Sequence, residues 1–304
     1  MADRAIISSV ANVIFGPSFP PNTSVDLRIL DKHLYSRVMT YLSLVDKSST
    51  GVWPGRPLVK DFIDAVRSYD LSDEDRAAIF ISSFWGFAAA SANVTSWLIV
   101  FLLYHPTALA KVRNEVDSTM RERYHDDAFK LIEDPEAFGP SSFPIIESAV
   151  NETLRLTSNA TPFRQATCDL NLVHGNTSVP IKDGDFLMAN LRAQHFDPVV
   201  YPRPQDFIVD RFLASSQAEH TGVKPGTQPF FGFGAGKHAC KGRLFAIRHI
   251  KAFVALLVYL VNIELDGGEQ GLKIPSLNER SLNVAQMSRD IKIRTKRRHR
   301  EDTR

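Results

Sequence analysis

The chain has 304 residues, 44% of them hydrophobic, enough for a substantial core in one or two structural units. A net charge of +2 leaves no strong nucleic-acid footprint. The two cysteines, Cys168 and Cys240, lie far apart, which excludes a disulfide framework and accords with a reducing compartment.

The N-terminus, MADRAIISSVANVIFG, mixes acidic and basic residues with a short apolar run and reads as an ordinary helix over 4–15, not a signal peptide. Gly16-Pro17 and Pro20-Pro21 break it. A second amphipathic helix is expected over 24–45, with Leu27, Leu30, Leu34, Val38 and Leu42 near helical spacing, and a short one over 58–69. Ser72, followed by Asp73, Glu74 and Asp75, caps a long helix that runs to His105-Pro106. From Ala77 to Tyr104 it carries no charge and is long enough to cross a bilayer. Its cap, with Ser82, Ser83, Asn93 and Thr95, favours the buried helix of a soluble protein.

Another helix is predicted over 107–123, then a mixed stretch with turn formers over 124–143. Pro144 starts the next helix, PIIESAVNETLRL, because a proline at the first turn forfeits no hydrogen bond. Ile146, Ala149, Val150 and Leu154 line one side of it. Glu152 and Arg155 share a face, the ordinary fate of which is a solvated ion pair. A small β-region is expected from Phe163 to Asn190, with turns at His174-Gly-Asn and Lys182-Asp-Gly. Two irregular segments follow, His195-Phe-Asp-Pro198 and Tyr201-Pro-Arg-Pro204. Arg243 to Leu260 reads as helix, with Leu244, Ile247, Ile250 and Val254 inward. Short strands are predicted at Val261–Leu265 and Asp290–Arg294, and a solvated charged tail from Lys296. The fold class is mainly α with a small β-region.

The chain is organised around Phe230 to Gly242, FFGFGAGKHACKG. Its glycines let the backbone turn tightly and approach a flat object closely. Cys240 stands where this loop meets a helix start, near the positive end of the helix dipole, which favours the metal-binding thiolate. A lone thiolate suits a haem iron better than zinc or an iron–sulfur cluster, which need several ligands. For this cysteine taken alone, a buried structural thiol in a glycine-rich turn is the other reading. A phosphate cradle fits worse, since the glycines run GxGxG and Lys241 lacks the Ser or Thr of a P-loop.

Phe233-x-x-Gly236-x-x-x-Cys240-x-Gly242 resembles the haem-ligand signature of the cytochrome P-450 family. Glu152-x-x-Arg155 resembles its ExxR pair, with Arg211 as the third, buried partner; Val209 and Asp210 stand where family members often carry Pro and Glu. The resemblance implies the cytochrome P-450 fold over roughly its C-terminal two-thirds. Residues 1–71 would be a remnant of the substrate-roof helices. Residues 72–143 would be the long distal helix and the helix after it. Residues 144–304 would carry the ExxR helix, β-region, meander, haem loop and last helix. It further implies haem b with Cys240 as axial thiolate on iron and Phe233 shielding the sulfur. Gly236 and Gly242 would shape the loop, His238 and Arg164 would meet the propionates, and Ala89 would lie on the distal helix. The implied partners are dioxygen, a small apolar substrate (lipid, sterol or specialised metabolite) and NADPH-cytochrome P-450 reductase or a similar electron donor.

The distal helix departs from the family pattern. Gly86, Phe87, Ala88, Ala89 and Ala90 occupy the positions of its acid–alcohol motif, so both proton-relay residues are alanines. In this it resembles the sterol 7-hydroxylase and prostacyclin-synthase branch. Ser91, Asn93 or water would then relay protons for a monooxygenase, with Ser91 the catalytic candidate. Alternatively the haem would perform an isomerisation or dehydration without external electrons, or the chain would be a non-catalytic haem-binding paralogue. The family's anchor and early β-region are not recognisable before Ala2-Asp3-Arg4. The chain therefore reads as N-terminally truncated and as cytoplasmic or peripheral at the endoplasmic reticulum. Lys237, Lys241, Arg243, Arg248 and Lys251 form either a solvated basic face or a docking patch for an acidic redox partner.

Overall fold

A computed structural model describes residues 61, 64–66, 68–159, 161–213, 230–267, 271–278 and 284–298. The helices expected over 4–15 and 24–45, and most of the one over 58–69, lie outside the described residues. The chain divides into two units, Met1–Ser96 and Trp97–Arg304.

Helix α1 spans Asp73–Tyr104. It starts as expected: the Asp75 amide donates to Ser72 Oγ (3.1 Å), and Ser72 Oγ–H donates to the Asp75 carboxylate (2.8 Å). In the first unit, Ser91, Ala92, Val94 and Thr95 are buried, and the Thr95 hydroxyl returns to the Ser91 carbonyl (2.8 Å), which satisfies it inside the helix. Among the described residues no single helix is long and apolar enough to cross a membrane.

In the second unit, α2 (Pro106–Tyr124) opens on its proline and buries Leu109, Val112, Val116 and Met120, a stripe at helical spacing. The mixed stretch after it holds a short helix, α3 (Ala128–Glu133), capped by Asp127. Helix α4 (Pro144–Thr157) starts at Pro144, as its sequence predicts. Its free N-terminal amides are met from afar: the Glu115 carboxylate accepts from Ile145 (2.6 Å) and Ile146 (3.0 Å). The β-region is two antiparallel ribbons, β1 (Phe163–Gln165) with β4 (Phe186–Met188) and β2 (Leu170–His174) with β3 (Thr177–Ile181). A one-and-a-half-turn helix, α5 (Leu191–His195), leads into the meander.

Helix α6 (Arg243–Leu260) has the predicted bounds, but its buried face starts a turn and a half later than its apolar pattern suggests. Leu244 is 59% exposed, and the core is formed by Ile250, Val254, Ala255 and Val258. Strand β5 (Val261–Leu265) follows directly and pairs with β8 (Ile293–Arg297), Val261 opposite Arg297 and Leu265 opposite Ile293. A minor ribbon joins β6 (Leu277–Asn278) to β7 (Gln286–Met287). The observed β8 thus lies three residues beyond the expected strand. The same shift corrects the expected tail: Lys296 and Arg297 are in the ribbon, and the Arg298 guanidinium binds the Asp117 carboxylate (2.9 Å) and the Val258 carbonyl (2.8 Å).

Lys251 is the one member of the predicted basic face that is fully buried; its ammonium donates to Glu147 (2.6 Å) and to the Gly139 carbonyl (2.8 Å). It ties α6 to the approach and first turn of α4. Substituting Lys251→Met should lower stability by about 2 kcal/mol, because Glu147 and a carbonyl lose their donor. The check is a reduced midpoint in urea with an unchanged slope.

Candidate active site: a buried ion triad and the cysteine loop it supports

Glu152, Arg155 and Arg211 have no exposed surface, so the pair that might have been solvated is instead the centre of the second unit. The Arg155 guanidinium grips the carboxylate with two bonds, Nε to Oε2 (2.8 Å) and Nη2 to Oε1 (2.9 Å). Arg211 Nε lies 3.0 Å from both oxygens, and the Ile208 amide adds a fifth donor contact at 3.0 Å. The remaining N–H groups of Arg155 donate to the carbonyls of His195 and Pro204 (both 2.8 Å) and of Asp206 (3.3 Å). Arg211 donates to the carbonyls of Pro202 (2.8 Å) and Arg203 (3.2 Å). Burial pulls the Arg211 guanidinium's pKa down, and the Glu152 carboxylate pushes back. Val209, in the position where a proline is common, is simply buried, and Asp210 pairs with Lys111 (2.6 Å).

The cysteine loop lies against this centre. A Cβ added at Gly232 would run into the Phe230 ring and press on Leu154 of α4 (3.0 Å), so glycine lets the loop fold over its own aromatic ring beside α4. Gly234 and Gly236 have φ of 73° and 62°, left-handed values that favour glycine. The loop closes on itself: the Gly234 amide donates to the Phe231 carbonyl (2.9 Å) and the Cys240 amide to the Phe233 carbonyl (2.8 Å). Gly236–His238 forms a single 3-10 turn, and Gly242 caps α6. Cys240 is a free, exposed thiol, which removes the reading of a buried structural cysteine. Among the described residues no cluster of three or more His, Cys, Asp or Glu is arranged to hold a metal ion, so the thiol has no companion ligands.

The other predicted site residues lie on several elements. Phe233 is half-buried, directly bonded through its carbonyl to Cys240. His238 is exposed in the 3-10 turn. Arg164 is exposed on β1, where its guanidinium donates to the Phe163 carbonyl (2.7 Å). Ser91 and Ala89 belong to α1 in the first unit, Ser91 buried. Lys237, Lys241, Arg243 and Arg248 are exposed, with Arg248 4.0 Å from Glu136, so the basic face loses only Lys251.

His195 was legible only as part of the irregular meander before Arg211, yet it joins the two parts of the site. Its carbonyl takes Arg155, and its ring Nε2 accepts the Phe231 amide (3.0 Å). Burial first, then the Arg155 charge, pushes its pKa down to about 4. Between about 4 and the ordinary 6.5 the unfolded chain therefore takes up a proton that the folded chain refuses. Stability is full above 6.5 and falls as pH drops towards 4, by on the order of 3 kcal/mol from this group. The pH dependence of urea unfolding should show that slope, and a His195→Gln variant should lose it. In the triad, Glu152→Gln should cost on the order of 3–5 kcal/mol, since two buried guanidinium groups lose their counter-charge; equilibrium unfolding measures it.

A family model described as cytochrome P-450 matches residues 49–293. The chain is 26% identical over 245 residues to cholesterol 7-alpha-monooxygenase of Cricetulus griseus, covering 78% of this chain and 47% of that protein. It is 27% identical over 235 residues to prostacyclin synthase of Homo sapiens, covering 74% and 46%. The chain thus spans about half the length of the curated relatives it matches. A crystal structure of a cytochrome P-450 superposes with a TM-score of 0.75 at 21% identity, covering 98% of this chain and 67% of that one. A loop that presents one free thiol, an ExxR triad buried behind it and a family match over most of the chain have one common explanation: this chain belongs to the cytochrome P-450 family, whose cofactor is a haem iron.

Proposed function

We propose that this chain is a haem-thiolate monooxygenase that inserts oxygen into a small apolar substrate with electrons from a reductase. The observation that carries the proposal is Cys240: a lone, exposed thiol on a loop whose backbone is internally bonded. The donor set fits haem iron, because one thiolate from the protein is the ligation a porphyrin leaves open, whereas zinc and iron–sulfur clusters need several side chains. The cofactor we assign is haem b.

When bound, haem supplies the reductive cleavage of dioxygen, a chemistry that belongs to the cofactor. The chain's own residues ligate, orient and protonate. Cys240 stands two residues before the cap of α6. Its amide is committed to the Phe233 carbonyl, which fixes the backbone that carries the sulfur. Phe233 shields one side of it, and Gly236 and Gly242 keep the loop open to a flat partner. His238 and Arg164, both exposed, are assigned to the propionates. Ala89 stands at a position of the family's distal-helix motif that normally carries an acid, and Ser91, just past the motif, is the proton donor we assign. A positioned acid is worth roughly 10²–10⁴-fold, so losing the Ser91 hydroxyl should divert electrons to peroxide rather than stop turnover.

The names of two relatives support a substrate class. Cholesterol 7-alpha-monooxygenase, 26% identical, is named for a sterol, and a 12-alpha-hydroxylase of 5-beta-cholestane-3-alpha,7-alpha-diol from Sus scrofa is 27% identical. We assign a sterol or comparable lipid. The exposed Lys237, Lys241 and Arg243 offer the face for an acidic electron donor such as NADPH-cytochrome P-450 reductase.

The deciding experiment is the optical spectrum of the haem-loaded chain, reduced under carbon monoxide. The unsubstituted chain should show the long-wavelength band of a thiolate complex, and Cys240→Ala should abolish it. A Cys240→Ala spectrum unchanged from the parent would mean that another residue binds iron. Ser91→Ala should release severalfold more peroxide per electron consumed, measured in the same reconstituted system.

A further inference from the structure

We propose that His195 is a positioning residue for Cys240: it pegs the first limb of the cysteine loop to the buried ion triad through the Phe231 amide. The last residue of α5, it is 1% exposed, and it is bonded on both of its sides. On the backbone side, its carbonyl accepts Arg155 Nη1 (2.8 Å), the guanidinium that also holds Glu152. On the ring side, Nε2 accepts the N–H of Phe231 (3.0 Å). The ring lies stacked against Phe230 (centroids 5.7 Å apart, planes 20° apart) and, more distantly, Phe231 (6.4 Å, 22°), with Tyr201 edge-on (6.2 Å, 90°). Two consecutive loop residues are thus held by one imidazole.

The peg reaches the Cys240 backbone in two further bonds. The Phe231 carbonyl takes the Gly234 amide (2.9 Å), and the carbonyl of the adjacent Phe233 takes the Cys240 amide (2.8 Å). Shifting Phe231 moves the acceptor that sets the Gly234 turn, and the turn sets where Cys240 closes. An ordinary core histidine would be satisfied by packing and any partner. Here the acceptor role demands one form of the ring, neutral with the proton on Nδ1, because a protonated Nε2 faces a second N–H. Among the described residues Nδ1 is buried with no partner, so the ring gives up one hydrogen bond to keep the other. The groups around the ring hold it neutral: the Arg155 and Arg192 charges oppose a second proton, and burial does so most strongly. The near side of the triad, the aromatic stack and the unused Nδ1 all favour this one bond.

The consequence for iron ligation rests on the assignment of Cys240 above; the peg itself does not, and the tests separate them. The first is amide exchange by NMR on the full chain without haem. His195→Phe keeps the stacked ring but cannot accept, and should speed exchange at Phe231 and Cys240 about tenfold or more relative to amides in the middle of α4. His195→Gln keeps an acceptor and should stay within about threefold of the parent. Parent-like exchange in the Phe variant, or equal acceleration in both variants, overturns the proposal. The second test uses the unsubstituted chain and so survives any failure of a variant to fold: nitrogen shifts of the His195 ring should place the proton on Nδ1. A proton on Nε2 overturns the proposal. After haem loading, the Phe variant should lose part of the thiolate band under carbon monoxide while the Gln variant keeps it; both keeping it in full overturns the link to the sulfur.

Discussion

The second unit depends on a single carboxylate in an unfavourable place. Glu152 is wholly buried, and an ionised carboxyl there costs several kcal/mol in lost hydration. Two guanidinium groups and the Ile208 amide repay that cost by filling its lone pairs. Two arginines against one glutamate leave an excess positive charge, and the meander's carbonyls absorb it: those of His195, Pro202, Arg203, Pro204 and Asp206 all point at guanidinium N–H groups. These bonds pin the irregular backbone between α5 and Arg211 to the core. Its own backbone bonds are short-range turns, such as the Tyr201 amide to the Asp197 carbonyl (2.8 Å), and Arg155, with all five N–H groups used, ties the segment to α4. Aromatic rings close the arrangement, with Tyr201 5.1 Å and Phe196 5.7 Å from the Arg155 charge centre.

What could be read in the sequence was whatever a short window determines. The loop at Phe230–Gly242 was legible because its conformation is imposed residue by residue: positive φ at Gly234 and Gly236, and close passage at Gly232. Helix α4 was legible at its start through Pro144 and along its length through one apolar side. The spacing of Glu152 and Arg155 shows that they share a face, but not which face; burial is a property of what packs there, and Arg211 lies 59 residues from Glu152. The resemblance to a known family supplied that knowledge where spacing alone pointed to solvent.

The misses share a physical cause. Glu115 caps α4 from 30 residues away, and nothing local in Pro144–Glu147 reveals the donor pair it serves. Lys251 looked like surface because lysine rarely buries its ammonium; it does so here because Glu147 and the Gly139 carbonyl wait for it. Leu244 looked like core because it continues an apolar stripe, yet it lies in the first turn beside the exposed loop, and the stripe meets the other helices only from Ile250. Strand β8 was displaced for the same reason. Ile291 and Ile293 attract a strand assignment, but the pairing with β5 sets the register, and Asp266 spends its amide on the Lys292 carbonyl before the ladder begins.

Seen from the sulfur, these features resolve two opposed demands. A thiolate that is to bind a cofactor must stand clear of protein, so Cys240 is exposed and its loop has few side chains to bury. A ligand must also stay within tenths of an ångström of its place, which exposure alone would not allow. Backbone bonds within the loop solve only the internal half of the problem, since a rigid hairpin still pivots on its ends. The far end is held because the chain enters α6 at Gly242 and that helix is bound to α4 through Lys251. At the near end, the side-chain hydrogen bond to the core seen among the described residues is the Phe231 amide on His195. A neutral imidazole suits that position better than a carboxylate or an amide: it accepts one hydrogen bond, stacks on the loop's aromatic rings and brings no charge that would compete with Glu152 for the guanidinium groups.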